Sequence, residues 1–156
     1  MLELHNVSIG QLVRGLSLTV ADGQLLCLAG AQGSGKTTLL RAVLGFIGID
    51  GGHISIDGEL LTPQSAPYFR QMTAYVPQHV TIPDGAEDSV QIPMDYVSLL
   101  RTAVALNKPL LIVDEPSVSL SDDEAALVDR LLTETAARGT TVLAVNSRIL
   151  QNQIRL

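Results

Sequence analysis

Aromatic residues are nearly missing from this chain: three Tyr, two Phe and no Trp, 3% of 156 residues. The core must therefore be built from Leu, Val, Ile and Ala. Cysteine is as scarce. Cys27 stands alone inside an apolar run, which excludes a disulfide within the chain and leaves a small buried hydrophobe as its reading. No apolar run approaches the roughly 18 residues that a membrane span needs. The start, Met1-Leu2-Glu3-Leu4-His5, has neither the basic nor the apolar region of a secretory leader. A cytoplasmic location is expected, with any contact to a membrane made through a partner. Basic charge is in the minority, 10 Lys and Arg against 16 Asp and Glu, for a net charge of −6. That balance argues against a dedicated nucleic-acid binder, which needs a basic surface. What remains, 46% hydrophobic and 17% charged, is the composition of a globular chain. Its length predicts one domain over residues 1–156.

Against this background one stretch is dense in meaning. Gly30-Ala31-Gln32-Gly33-Ser34-Gly35-Lys36-Thr37-Thr38 fits G-x-x-x-x-G-K-[ST], the phosphate-binding P-loop. An apolar run, Leu25 to Ala29, precedes it as a buried strand, and Thr38 to Leu44 follows it as a helix. Glycines let the backbone wrap an anion with its N–H groups pointing inward, and the helix N-terminus adds partial positive charge. In such a loop Lys36 reaches the β- and γ-phosphates and the Thr37 hydroxyl ligates Mg2+.

The remaining pattern places this loop in an α/β chain. Leu2 to Val7 and Leu16 to Val20 read as strands, and Asp22-Gly23 as a turn into the strand that feeds the loop. His53 to Ile56 alternates and ends in Asp57-Gly58, predicting a hairpin into Glu59-Leu60-Leu61. Gln64 to Arg70 reads as a short helix containing Pro67, and Met72 to Val76 as a strand running into Pro77-Gln78. From His79 to Pro93 periodicity is lost, with Pro83, Asp84-Gly85 and Pro93 as breakers. Met94 to Leu106 reads as a helix with Val97, Leu100 and Val104 on one side. Leu110 to Val113 is a continuous apolar run, the pattern of a parallel strand buried on both faces. Ser121 and Glu124 form a capping box opening a helix with Leu127, Val128, Leu131 and Leu132 on its inner face. Gly139 ends that helix, and Thr141 to Val145 is the last readable strand. Alternation of strands and helices after residue 24 predicts a mostly parallel sheet, and the early hairpins predict an antiparallel flank. The three histidines, His5, His53 and His79, fall in unrelated segments and read as incidental.

A P-loop needs an acidic partner for Mg2+ at the end of a neighbouring apolar strand, and Asp114 has that position. Glu115 beside it is the candidate general base, or the group that polarises an attacking water. Here the text resembles a family. Gly30 to Thr38, Tyr75-Val76-Pro77-Gln78 and Leu110 to Pro116 are similar to the Walker A, Q-loop and Walker B of the ATP-binding cassette (ABC) ATPases. Glu115-Pro116-Ser117-Val118-Ser119-Leu120-Ser121 resembles their Walker B to D-loop run. Gly51-Gly52-His53-Ile54-Ser55-Ile56-Asp57-Gly58 matches another family phrase, and the resemblance runs in order over essentially the whole chain. It implies a P-loop NTPase (RecA-like) fold with an N-terminal antiparallel flank. It implies ATP and Mg2+ as ligands, with Gly30, Gly33, Ser34, Gly35, Lys36, Thr37 and Thr38 on the phosphates. Thr37, Gln78 and Asp114 would surround Mg2+; Glu115 would be the catalytic carboxylate, acting with Gln78 and Lys36. It further implies a homo- or heterodimer with another ABC ATPase subunit and an integral membrane permease as partner.

Four departures from the family pattern shape the functional expectation. The Leu-Ser-Gly-Gly-Gln signature is absent, and the stretch near its place, Ser89-Val90-Gln91-Ile92-Pro93, lacks both glycines. Only 36 positions separate Gln78 from Asp114, so the helical subdomain, around residues 79–107, is reduced. Asn146-Ser147 stands where a switch histidine is expected. No aromatic lies between Val7 and Gly15 to stack on adenine, leaving Ile9 and Val13 as apolar contacts. Ser121 also replaces the D-loop aspartate. The expectation is an ABC-type ATP-binding subunit whose hydrolysis is weak or depends on a partner. The alternative is a non-hydrolysing ATP-binding regulatory or interaction module derived from such an ATPase.

Overall fold

The structure is a computed structural model, and it describes residues 1–78, 95–114 and 120–145 together with the backbone of Gln153–Arg155. Two sheets carry the chain. The first is antiparallel, in the order β2-β1-β4-β5, from Leu2–Ile9 (β1), Val13–Val20 (β2), Gly51–Ile56 (β4) and Glu59–Leu60 (β5). Leu2 and Leu4 of β1 lie opposite Val20 and Leu18 on one side and opposite Ile56 and Ile54 on the other. All six are buried, so one face of this sheet is a continuous aliphatic surface. The same register sets His5 opposite His53 with their rings stacked at 5.1 Å on the exposed side. Two histidines far apart in sequence are thus neighbours, while His79 lies outside the described residues.

The second sheet is parallel, in the order β6-β7-β8-β3-β9. Its strands are Thr73–Val76 (β6), Leu110–Val113 (β7), Thr141–Val145 (β8), Leu25–Ala29 (β3) and Gln153–Arg155 (β9). Period-two alternation sends its side chains into two different cores. Leu26, Leu28, Leu110, Ile112, Leu143 and Val145 join the aliphatic face of the antiparallel sheet, with helix α1 (Lys36–Val43) between the two sheets. Cys27, Leu111, Val113, Val142 and Ala144 face the other way. There they pack on helices α3 (Tyr96–Ala105) and α4 (Asp122–Ala137). This double burial explains why β7 and β8 read as unbroken apolar runs. Cys27 is fully enclosed; burial, with the charge of Asp129, pushes its thiol up to about 11, so it carries no thiolate near neutral pH.

The expected mostly parallel sheet with an antiparallel flank is therefore present. The short helix α2 spans Ala66–Gln71 with Pro67 in its first turn, where the missing N–H costs nothing. Helix α3 opens at Asp95, whose carboxylate accepts from the Ser98 amide at 2.7 Å; Met94 lies outside the described residues. On α4 the deepest positions are Ala125, Val128, Leu132, Thr135 and Ala136, with Leu127 and Leu131 only half-buried. Strand β9, in a tail too short to read, pairs in parallel with β3.

Candidate functional site

The loop Gly30–Gly35 leaves the C-terminal end of β3 and enters α1 directly. This is the edge of a parallel sheet at which ligands of open α/β folds sit. Gly35 is the N-cap of α1 at φ 94°, and no side chain caps the helix. A Cβ at Gly35 would stand 3.0 Å from Leu12 Cβ and 3.2 Å from Val13 Cγ2, so both its backbone and its surroundings require glycine. Gly33 is also left-handed, at φ 82°, but has open space around it. The first turn of α1 holds no acidic residue of its own, and among the described residues no side chain accepts from its first amides.

Lys36 folds back over this loop. Its Nζ donates to the carbonyls of Gly30 and Ala31, each at 2.7 Å. The Ser34 Oγ is buried and has no hydrogen-bond partner among the described residues. A hydroxyl desolvated in that way costs on the order of 1–3 kcal/mol unless something else bonds it.

Asp114 follows the last residue of β7 and is only 2% exposed. Its amide still donates to Val76 O at 2.9 Å, which carries the β6–β7 pairing one residue past the strand. The Thr37 hydroxyl donates to the Asp114 carboxylate, at 3.1 Å from Oδ2 and 3.4 Å from Oδ1. Residues 77 positions apart are thereby joined across the strand that separates β7 from β3. Tyr75, half-buried beside them, has its phenol pKa raised by burial and by the Asp114 charge, with Arg41 partly opposing.

The set Thr37 hydroxyl and Asp114 carboxylate fits Mg2+. Both are hard oxygen donors. Two ligands sharing an edge of an octahedron with bonds of about 2.0–2.1 Å stand about 2.9 Å apart, close to the separation seen here. Gln78 lies two residues past β6 with its side chain exposed. Gly30, Gly33, Ser34, Gly35, Lys36, Thr37 and Thr38 are all in the loop and first turn of α1. Glu115 falls on residues 115–119, outside the described residues, as do Asn146, Ser147 and the stretch Ser89 to Pro93.

One expectation is overturned. Ile9 and Val13, the residues left to contact adenine, are buried in the core between the sheets. Leu12 between them is instead 55% exposed and lies against Gly35. Strict alternation back from Val20 through Leu18 and Leu16 would turn Leu12 inward and Val13 outward. The irregular pairing between Val7–Leu16 and Ile9–Val13, with Gly15 at φ 60°, inverts them. A glycine inside an alternating run was the available signal.

A P-loop on β3, an aspartate at the end of β7 and an antiparallel flank define a P-loop NTPase of the ATP-binding cassette kind. The family model described as ABC transporter matches residues 13–91, half of the sequence, and the chain belongs to that family. It is 38% identical over 82 residues to an uncharacterized ABC transporter ATP-binding protein of Haemophilus influenzae, covering 50% of this chain and 31% of that protein. It is 41% identical over 83 residues to the Fe(3+) ions import ATP-binding protein FbpC of Pseudomonas fluorescens, covering 49% of this chain and 23% of that one. The chain thus spans about a quarter to a third of the length of these curated relatives. In fold it is similar to the dimeric ATP-binding cassette MJ0796 solved with ADP and Pi. The TM-score is 0.77 at 18% identity, over 100% of this chain and 94% of that one. Among the described residues no helix is long and apolar enough to cross a membrane.

Proposed function

We propose that this chain binds MgATP at Gly30–Thr38 and serves as the ATP-binding component of an ABC-type transporter, with hydrolysis that is weak or requires a partner. The observation that carries the reading is the Thr37–Asp114 contact at the mouth of an uncapped helix N-terminus. In this reading residues 1–156 act as one nucleotide-binding domain whose helical part, around 79–107, is reduced. The amides of Gly33 and of Gly35 to Thr38 donate to phosphate oxygens, together with the Ser34 hydroxyl, which has no partner among the described residues; the Ser34 amide is engaged by Ala31 O. Lys36 exchanges its two loop carbonyls for the β- and γ-phosphates, which keeps its ammonium hydrogen-bonded in both states. Thr37, Asp114 and Gln78 hold Mg2+, which when bound neutralises charge on the β- and γ-phosphate oxygens. Leu12 gives the base an apolar contact that reads none of its edges.

For hydrolysis, Glu115 accepts a proton from the water that attacks the γ-phosphorus, and the β–γ bridging bond breaks towards ADP. Two groups that help this step elsewhere in the family have no counterpart in the sequence: the signature glycines and the switch histidine. Removing one preorganised donor to a developing charge costs about 2.7–4 kcal/mol, a factor of about 10²–10³ in rate. Two copies of this chain would therefore turn over slowly, whereas a heterodimer with a complete ABC ATPase subunit would recover donors for this P-loop. A membrane permease, reached from the cytoplasmic side, is the proposed transport partner.

The absence of signature and switch histidine together also favours a second reading, a module in which ATP occupancy controls association without turnover. ATP binding and turnover of the wild type, Lys36→Ala and Glu115→Gln test both. The transporter reading expects binding lost in Lys36→Ala and partner-stimulated turnover lost in Glu115→Gln. ATP-dependent association unchanged in Glu115→Gln, with no turnover under any condition, supports the module. Equal, substantial turnover in wild type and Lys36→Ala rejects the site.

A further inference from the structure

Helix α3 is tied to the metal-site aspartate by a side chain with no role in the loop itself. The Tyr96 phenol donates to the backbone carbonyl of Asp114. Tyr96 is the first residue of α3, immediately after its Asp95 cap, and its ring packs against the core formed with α4. Among the described residues Asp114 is therefore held through its amide by Val76 O, through its carbonyl by Tyr96 and through its carboxylate by Thr37. One continuous path of hydrogen bonds runs from the start of α3 through a single buried residue to the start of α1.

We propose that Tyr96 is a positioning residue for divalent-metal binding: it orients Asp114 and couples the first turn of α3 to occupancy of the Mg2+ site. The inference rests on the MgATP reading above. The physical basis is that a buried aspartate offers its carboxylate in one direction only if the two peptide planes flanking its Cα cannot turn. The Val76 bond holds the plane before Asp114, the Tyr96 bond the plane after it, and the Thr37 bond the carboxylate itself. Without the phenol the Asp114 carbonyl loses a buried donor, and the residue gains freedom to tilt away from Thr37. Partners that orient a ligand in this indirect way typically set about 10–100-fold in metal affinity. The Tyr96 phenol touches none of the loop amides and not Lys36, so phosphate recognition by those groups is left intact. Coupling is reciprocal: if α3 orders the metal site, the bound metal orders α3 by the same factor.

The test is Tyr96→Phe in the full chain, which keeps the ring and removes only the hydroxyl. ATP is titrated calorimetrically with excess Mg2+ and again with EDTA, for wild type and variant. The expected result is equal affinity within about twofold in EDTA and an about tenfold loss of the Mg2+-dependent gain in the variant. The EDTA arm also checks that the variant is folded. Amide exchange at Ser98 and Leu99, in the first turn of α3, is the second readout: MgATP slows it in wild type and leaves it unchanged in Tyr96→Phe. An identical Mg2+-dependent gain in both proteins overturns this inference while leaving the nucleotide reading standing. Wild type that binds ATP in neither condition overturns both.

Discussion

Helices α1 and α4 begin in opposite ways. At α4, Ser121 and Glu124 close a reciprocal capping box, with the Ser121 hydroxyl accepting from the Glu124 amide at 3.2 Å and the Glu124 carboxylate from the Ser121 amide at 2.8 Å. Asp122, Asp123 and Glu124 then place three acids in the first turn, against the positive end of the helix. At α1 the cap is Gly35, no side chain among the described residues accepts from the first amides, the first turn contains no acid of its own (the Asp114 carboxylate meets the Thr37 hydroxyl there), and Lys36 adds a positive charge. α4 satisfies its own N-terminus; α1 leaves its amides to whatever anion arrives. The same four-donor problem is solved by the chain in one place and left to a ligand in the other, and that difference marks the site more firmly than any single residue.

The comparison can be broken most severely at the loop. Lys36→Ala removes the side chain proposed to meet the phosphates. At about 1.5–3 kcal/mol for a charge-assisted hydrogen bond, ATP affinity is expected to fall at least tenfold in equilibrium binding, with thermal stability little changed. Gly35→Ala closes the open N-terminus by geometry. A Cβ at φ 94° against Leu12 and Val13 costs about 1–3 kcal/mol, so both the melting temperature and ATP affinity should drop. Ser121→Ala attacks the other helix. It should lower stability by about 1 kcal/mol, or about 2–4 °C in melting temperature, and leave ATP affinity where it was. If Ser121→Ala weakens ATP binding as much as Lys36→Ala does, the contrast between the two helices is wrong.

Smaller effects sharpen the picture. At α3 the Asp95 carboxylate is held below its ordinary pKa of 3.8, first by the Ser98 amide and then by the Ser98 hydroxyl. A folded-state pKa below the unfolded one gives a cap contribution that is complete above about pH 4 and disappears as pH falls through the depressed value. Protection of the first-turn amides of α3, taken relative to intrinsic exchange at each pH, should therefore fall below pH 4, and Asp95→Asn should flatten that fall while still capping. Smallest of all is the choice of base. With Leu12 beside the loop and no edge-reading group there, ATP and GTP should bind within about threefold of each other. A preference for ATP of a hundredfold would point to a base-reading group elsewhere.

Much of this architecture was legible in the sequence because apolar periodicity and turn residues agree with one another. β7 and β8 read correctly since residues buried on both faces leave continuous apolar runs, and α4 announced itself through Ser121 and Glu124. The loop was legible because G-x-x-x-x-G-K-T is a chemical requirement as much as a pattern. What could not be read depended on long-range register. The stacking of His5 on His53 follows from the long-range register of β1 on β4, and the exchange of Leu12 for Val13 from the irregular β1–β2 pairing; local alternation encodes neither. The grip of Tyr96 on Asp114 is of the same sort, since a phenol reaching a main-chain carbonyl 18 positions away leaves no motif. Strand β9 was missed because three residues are too few to show a period.

The central claim is that the open N-terminus of α1 is where a nucleotide's phosphates bind. Residue-resolved amide exchange of the wild-type chain with and without MgATP tests it most directly. The account predicts slowed exchange from Gly33 to Thr38 and no change at the self-capped start of α4, Asp122 to Glu124. Unchanged exchange from Gly33 to Thr38 at saturating MgATP, or protection confined to another surface, would contradict it.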